Sequence, residues 1–305
     1  MNEVSEIRSL EKLDLLAKKV VEGYLLGLHR SPFHGFSSEF REHKQYNDGD
    51  NLRNIDYKVY ARTDKLFVKK YDEETNLKCQ FVLDVSGSMH FPYQVKRNKL
   101  DFSVVAIASL MNLLKRQRDA YGLTVFSDTI LQTIEAKLTE KNKQQIYSTL
   151  WQYLNDSNGM GSSNVIHCLE QMAFSLPKRS LVVIFSDFLD GFSDNDDFEN
   201  KFVQVIQHLI FQKHEIVIFH VSQSKTELQL DYENIPLEFV DMESNEKIKL
   251  IPNEIKYDYQ KFMNDKVNFL RKKSIQFGVD IVEVDIDDNY ELILNAFLRK
   301  RKKMK

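Results

Sequence analysis

Cysteine is scarce in this chain, with two residues in 305. Cys79 and Cys168 each fall inside a segment that reads as strand or helix, so no disulfide framework organises the fold and two buried, reduced thiols are expected. A surplus of charge is missing as well: 42 Lys and Arg against 45 Asp and Glu leave a net charge of -3. That balance gives no bulk attraction for nucleic acid or for an acidic membrane surface. Long apolar runs are lacking too. Leu181 to Phe185 and Ile216 to Val221 are far short of the ~20 residues that span a bilayer. Met1 to Lys12 is polar and acidic where a secretory signal would be basic and then apolar. A soluble, cytoplasmic protein is the expectation. There is no Walker A loop, no His-Glu-x-x-His and no Gly-x-Ser-x-Gly elbow, which argues against nucleotide hydrolysis, catalytic zinc and serine hydrolysis.

What is present is a regular alternation from about Cys79 onward. Strand-like segments at Gln80 to Leu83, Tyr121 to Phe126, Leu181 to Phe185, Glu215 to Val221 and Asp280 to Val284 alternate with helical ones. The helical segments are Asn98 to Arg116, Lys141 to Leu154, Val165 to Phe174, Phe198 to Lys213 and Tyr257 to Phe277. Such alternation predicts an α/β fold with a doubly wound, mostly parallel central sheet. Leu100 to Leu114 is apolar nearly all round, as a helix buried between layers would be. Thr129 to Glu135 alternates apolar and polar residues and predicts an antiparallel edge strand.

Two regions fall outside the alternation. Residues 1–77 read as an N-terminal extension packed on the core domain of 78–299. It opens with an amphipathic helix carrying Leu13, Leu15, Leu16, Val20, Val21, Tyr24 and Leu25, and closes with a strand at Leu66 to Tyr71. Residues 225–253 read as a β-hairpin or three-strand insertion built from Leu228 to Leu230, Leu237 to Val240 and Ile248 to Leu250. The basic tail at 300–305, with Arg299 before it, reads as a solvated helix end rather than a nucleic-acid patch.

Chemistry concentrates at strand ends. Phe81-Val82-Leu83 runs into Asp84, with Ser86 and Ser88 following at alternate positions. Polar side chains at the carboxyl end of a central strand stand in the crevice where open α/β sheets bind ligands. One carboxylate with two hydroxyls has too little charge for an all-protein calcium cage but suits magnesium, which keeps several waters. A second buried strand ends in Ser186-Asp187, and a Gly-Ser loop at Gly161 to Asn164 precedes a helix, so Ser163 and Asp187 are placed near Asp84. One of the loop serines could instead be a helix N-cap.

These three segments resemble the metal-ion-dependent adhesion site of a von Willebrand factor A domain. The resemblance implies Ser86 and Ser88 as direct ligands, Asp84 and Asp187 acting mostly through waters, and Ser163 where the family usually has threonine. It implies Mg2+, or Mn2+ or Ca2+ in its place, with one position left for a partner's carboxylate. Upstream, Phe40 to Tyr57, Ala61-Arg62-Thr63 and Leu66 to Lys69 resemble the bacterial domain-of-unknown-function family 58. Tyr57 stands where members typically carry tryptophan. Members are often encoded beside MoxR-type AAA+ ATPases and are thought to be their adaptors. Many begin with transmembrane helices, which this chain does not show, in keeping with a cytosolic version.

Asp48, Asp50, Arg53, Asp56 and Arg62 read as an ion-pair clasp stapling the N-terminal region onto the sheet domain, with a partner-facing role as the alternative. His29, His34 and His43 read as structural rather than metal-ligating. The rival to an adaptor is a metal-dependent phosphatase-like hydrolase with Asp84 as nucleophile. That chemistry needs a second carboxylate two residues on, where this chain has Ser86. A third reading is a purely structural metal site. The sequence therefore points to a non-enzymatic, Mg2+-dependent interaction module, adaptor or co-chaperone, whose partner is a MoxR-type ATPase or its client reached through an acidic residue.

Overall fold

The computed structural model describes residues 10–29, 40–45, 57–71, 77–93, 97–155, 163–192, 196–241 and 246–303. Its elements run α1 (Leu10–His29), β1 (Phe40–Gln45), α2 (Tyr57–Thr63), β2 (Phe67–Tyr71), β3 (Lys78–Asp84), α3 (Lys99–Arg116), β4 (Ala120–Phe126) and β5 (Ile130–Lys137). There follow α4 (Glu140–Asn155), α5 (Val165–Ser175), β6 (Leu181–Ser186), α6 (Asp196–Phe211), β7 (Glu215–Ser222), β8 (Leu237–Val240), β9 (Lys247–Leu250), α7 (Pro252–Gln276), β10 (Asp280–Asp285) and α8 (Glu291–Lys303).

The central sheet has six strands in the order β10-β7-β6-β3-β4-β5. All neighbours are parallel except β4 and β5, which pair antiparallel and place β5 at the edge. The strands β3 and β6 are apolar on both faces because both faces are covered, as the continuous Val, Ile, Leu and Phe runs foreshadow. Val82, Val182, Ile184, Ile216 and Ile218 pack with residues of α5, α6 and α7. The alternate residues point the other way, where α3 contacts β3, β4 and β7 and α8 contacts β7 and β10. Right-handed crossovers produce this division: β3 to β4 moves one way along the sheet and β6 to β7 the other, so α3 and α6 land on opposite faces. The reversal lies between β3 and β6, and the crevice at their carboxyl ends is the topological switch point.

The helix α3 is buried along nearly its whole length, and its start is fixed by a capping box between Asn98 and Asp101, with bonds of 2.7 and 3.0 Å. Cys79 and Cys168 are both buried and unpaired, and burial pushes the Cys168 thiol up to about 12.

The chain divides into two compact units, one of Met1–Tyr24 with Leu77–Lys305 and one of Leu25–Asn76. The N-terminal helix, as far as Tyr24, thus falls in the same unit as the sheet. The reason is its apolar face, on which Leu13, Leu16, Ala17, Val21 and Tyr24 are buried, while Leu15 of the same pattern is exposed. Asp14 meets Tyr147 at 2.9 Å and Lys143 at 2.9 Å, and Tyr24 donates to Asn295 at 2.8 Å. The second unit contains the antiparallel pair β1 and β2 and the short helix α2.

Two sequence expectations are corrected. Leu228 is not in a strand: Ser224–Leu228 forms a π-helical turn, because Gln223 caps Thr226 and Glu227 accepts from the Gln223 amide at 3.0 Å. The insertion is a two-stranded hairpin, β8 with β9. Lys300 and Arg301, the first residues of the basic tail, are not solvated, while Lys302 is exposed. The Lys300 amine lies 2.7 Å from Glu215 and 3.3 Å from Asp280, and Arg301 pairs with the buried Asp119 at 2.6 Å.

Candidate functional site

The crevice at the switch point gathers Asp84, Ser86, Ser88 and Ser163 into one hydrogen-bonded cluster. Asp84 closes β3 and is fully buried. Its Oδ1 accepts the Ser86 amide at 3.0 Å, which bends the chain into a 3-10 turn at Gly87–His90. That turn brings the Ser86 and Ser88 hydroxyls within 3.1 Å of each other. The other carboxylate oxygen, Oδ2, accepts from Ser163 at 3.4 Å and from Ser186 at 2.7 Å. Ser163 lies ahead of α5, whose N-cap is Asn164, so the N-cap role falls to the asparagine and the serine hydroxyl is left to the cluster.

The sequence pattern gives Ser186 no role of its own, although it stands next to Asp187 at the end of the second buried strand. Its hydroxyl also accepts the Phe188 amide at 3.0 Å. This bond helps hold Phe188 at φ +54, a left-handed conformation unusual for a bulky residue. Such backbone is kept only where the surroundings over-determine it, and here the Phe188 ring is fully buried and meets Phe202 edge-on at 6.1 Å.

Asp187 takes a different set of partners. Its Oδ1 accepts the Leu189 amide at 3.2 Å, and its Oδ2 accepts from the Lys99 amine at 2.6 Å. Its backbone carbonyl lies 3.0 Å from His220 Nε2, which must be the donor because a carbonyl can only accept. Burial holds His220 below its usual range, which favours the neutral imidazole. Lys99 has no exposed surface, and its amine also binds Glu227. Burial alone would lower Lys99, but the two carboxylates outweigh it and keep the amine charged. Lys99 and Glu227 were not legible as site residues, since nothing in the local sequence marks either as buried.

Burial, and after it the negative charge of Asp187, pushes Asp84 up to about 7 against the hydrogen bonds from Ser186 and Ser86. A carboxylate so destabilised is what a cation would relieve. Among the described residues no three His, Cys, Asp or Glu side chains form a metal-binding group, so an ion here would rest on hydroxyls as well as carboxylates. The donor set fits magnesium in that sense: hard oxygens, few charges, and polar groups at one point. Asp187 and Glu227 share one ammonium, Lys99, and Asp84 lies close enough to Asp187 to feel its charge. Fully ionised, they leave two negative charges, the charge of one divalent ion.

Of the expected clasp, Asp48, Asp50, Arg53 and Asp56 lie outside the described residues, and Arg62 is exposed in the last turn of α2. His34 also lies outside them, while His29 ends α1 and His43 is in β1.

The chain is 25% identical over 181 residues to the uncharacterized proteins Mb1516 of Mycobacterium bovis and Rv1480 of Mycobacterium tuberculosis, covering 59% of this chain and 56% of each relative. It thus spans little more than half the length of the curated relatives it matches. Among solved structures it is similar to the conserved hypothetical protein BatB from Bacteroides thetaiotaomicron, with TM-score 0.47, 12% identity and coverage of 74% of this chain and 99% of that one. An aerotolerance-related membrane protein from Bacteroides fragilis gives TM-score 0.46, 14% identity and the same coverages. No helix among the described residues is long and apolar enough to cross a membrane. The family model described as "Protein of unknown function DUF58" matches residues 42–267, well over half of the sequence, and the chain belongs to that family.

Proposed function

We propose that this protein is a non-enzymatic, cytoplasmic interaction module whose switch-point cluster binds Mg2+ and, through it, an acidic residue of a partner protein. The observation that supports this is the pairing of Ser86 and Ser88 at 3.1 Å beside a buried carboxylate. Ser86 and Ser88 would hold the ion directly. Asp84 and Asp187 have oxygens already engaged by Ser86, Ser186, Lys99 and Leu189, which suits a role through waters. Bound there, the ion would supply a positive position that a partner's carboxylate can complete. The resemblance stated above makes a MoxR-type AAA+ ATPase, or its client, the partner to test.

The geometry gives a hydrolase little to work with. Asp84 Oδ2 is committed to Ser186, and the position of a general acid two residues on is a serine. Capture of a MoxR-type ATPase on immobilised protein tests the proposal. Chelator and Asp84→Ala should each weaken the complex at least about tenfold, the lower end of what losing one charge-assisted contact costs. A complex indifferent to both would remove the site from the interface. Phosphate-ester turnover that vanishes in Asp84→Asn would instead assign a hydrolase.

A further inference from the structure

Among the described residues of the crevice, Lys99 is a charged side chain to which the cation-site reading gives no part in holding the ion. It occupies the first position of α3, where a lysine ordinarily reaches solvent and where the helix dipole disfavours positive charge. Here it has no exposed surface and turns inward to two carboxylates that come from distant parts of the chain, 88 and 128 residues away. A buried ammonium is retained only when it is paired. Its aromatic neighbour Phe91, with the ring centre 5.8 Å from the amine, closes off one side.

Both partners are themselves fixed. Asp187 is held by the Leu189 amide, and Glu227 by the Gln223 amide at 3.0 Å within the π-helical turn. That turn is anchored in its own right, since Tyr259 of α7 donates to the Glu227 carbonyl at 2.8 Å. The ammonium thus occupies the Asp187 oxygen that would otherwise be available to a second cation.

We propose that Lys99 is the charge-setting residue of the cation site: its ammonium, shared between Asp187 and Glu227, keeps Asp187 from direct coordination and limits the site to a single divalent ion. This rests on the cation-site reading given above. Fully ionised, Asp84, Asp187 and Glu227 carry two net negative charges with Lys99; without its charge, three. Replacing the ammonium by a neutral side chain should therefore tighten divalent binding and shift preference toward trivalent ions. Neutralising Glu227 should do the reverse. Unit charges a few ångströms apart in a protein interior interact strongly enough that each change should alter ion affinity about tenfold or more.

The test is a thermal-shift titration of the full chain, after chelator treatment, with Mg2+ and with La3+, on wild type, Lys99→Met, Lys99→Arg and Glu227→Gln. The half-saturating Mg2+ concentration should fall about tenfold in Lys99→Met, stay near wild type in Lys99→Arg, and rise about tenfold in Glu227→Gln, with La3+ favoured only in Lys99→Met. A merely structural role would move Lys99→Met and Glu227→Gln in the same direction, and that result, or no change in either, overturns the proposal. If Lys99→Met does not fold, Glu227→Gln decides alone: unchanged or tighter binding refutes the idea. Absence of any ion response in folded wild type would sink the cation-site reading itself, an outcome separable from equal responses across the variants.

Discussion

Arg301→Glu should destabilise the fold by about 3 to 5 kcal/mol, the range for breaking a buried ion pair. Arg301 reaches back from the end of α8 to Asp119, 2.6 Å away, and the two side chains are only 14% and 3% exposed. Asp119 is also tied at its other oxygen, which accepts the Leu77 amide at 3.2 Å, so it has little freedom to turn toward water. The reversed charge would face a buried carboxylate across that contact. A drop in melting temperature of about 6 °C or more is expected. Lys302→Glu, one residue on and exposed, should stay within about 0.5 kcal/mol of wild type. Equal, small effects of the two would mean that the tail is not pinned.

The second large effect concerns Asp84 in the absence of ions. Its folded value of about 7 lies above the ordinary 3.8, so between those values the folded chain holds a proton that the unfolded chain has released. The contribution of this residue is therefore most favourable below about 3.8 and is lost as pH rises toward about 7. At about 1.4 kcal/mol per unit the ceiling is about 4 kcal/mol, and relaxation will lower it. Asp84→Asn removes the ionisable group while keeping an acceptor for the Ser86 amide. In chelator near neutral pH it should be more stable than wild type by about 1 to 3 kcal/mol, with the difference vanishing toward acid. Its response to Mg2+ should be weakened about a hundredfold or more. Urea unfolding across pH with and without Mg2+ measures both. A variant less stable than wild type in chelator, or one that keeps the ion response, would contradict the electrostatic reading.

How much of this was legible before the structure follows from what each residue's neighbours are. The strands β3, β6 and β7 could be read because both faces are buried, which forces unbroken apolar runs. Asp84, Ser86 and Ser88 could be read because they interrupt such a run at its end, where the pattern of a doubly wound sheet already says a crevice must lie. The antiparallel edge strand β5 was visible in its period-two alternation. By contrast β1, with the sequence Phe-Arg-Glu-His-Lys-Gln, carries almost no apolar signal, and α2 is too short to show a period. Lys99 looks like any solvated lysine at a helix start until Asp187 and Glu227 are brought to it. Lys300 and Arg301 look like a charged tail until Glu215, Asp280 and Asp119 are placed beside them. The segment Leu228 to Leu230 is no strand because the turn at Ser224–Leu228 that it follows on from is held by bonds from backbone to side chains, which hydrophobic pattern does not record.

The measurement that bears most directly on the central claim is calorimetric titration of Mg2+ into chelator-treated protein, with Ser86→Ala/Ser88→Ala as comparison. The two hydroxyls carry no charge, so their removal leaves the formal charges of Asp84, Asp187, Glu227 and Lys99 in place while deleting the direct donors. Wild type should show one saturable binding event with a matching rise in melting temperature, and the folded double variant should show neither over the same range. Identical isotherms for the two proteins, or no binding to wild type, would contradict the assignment of this crevice as a cation site.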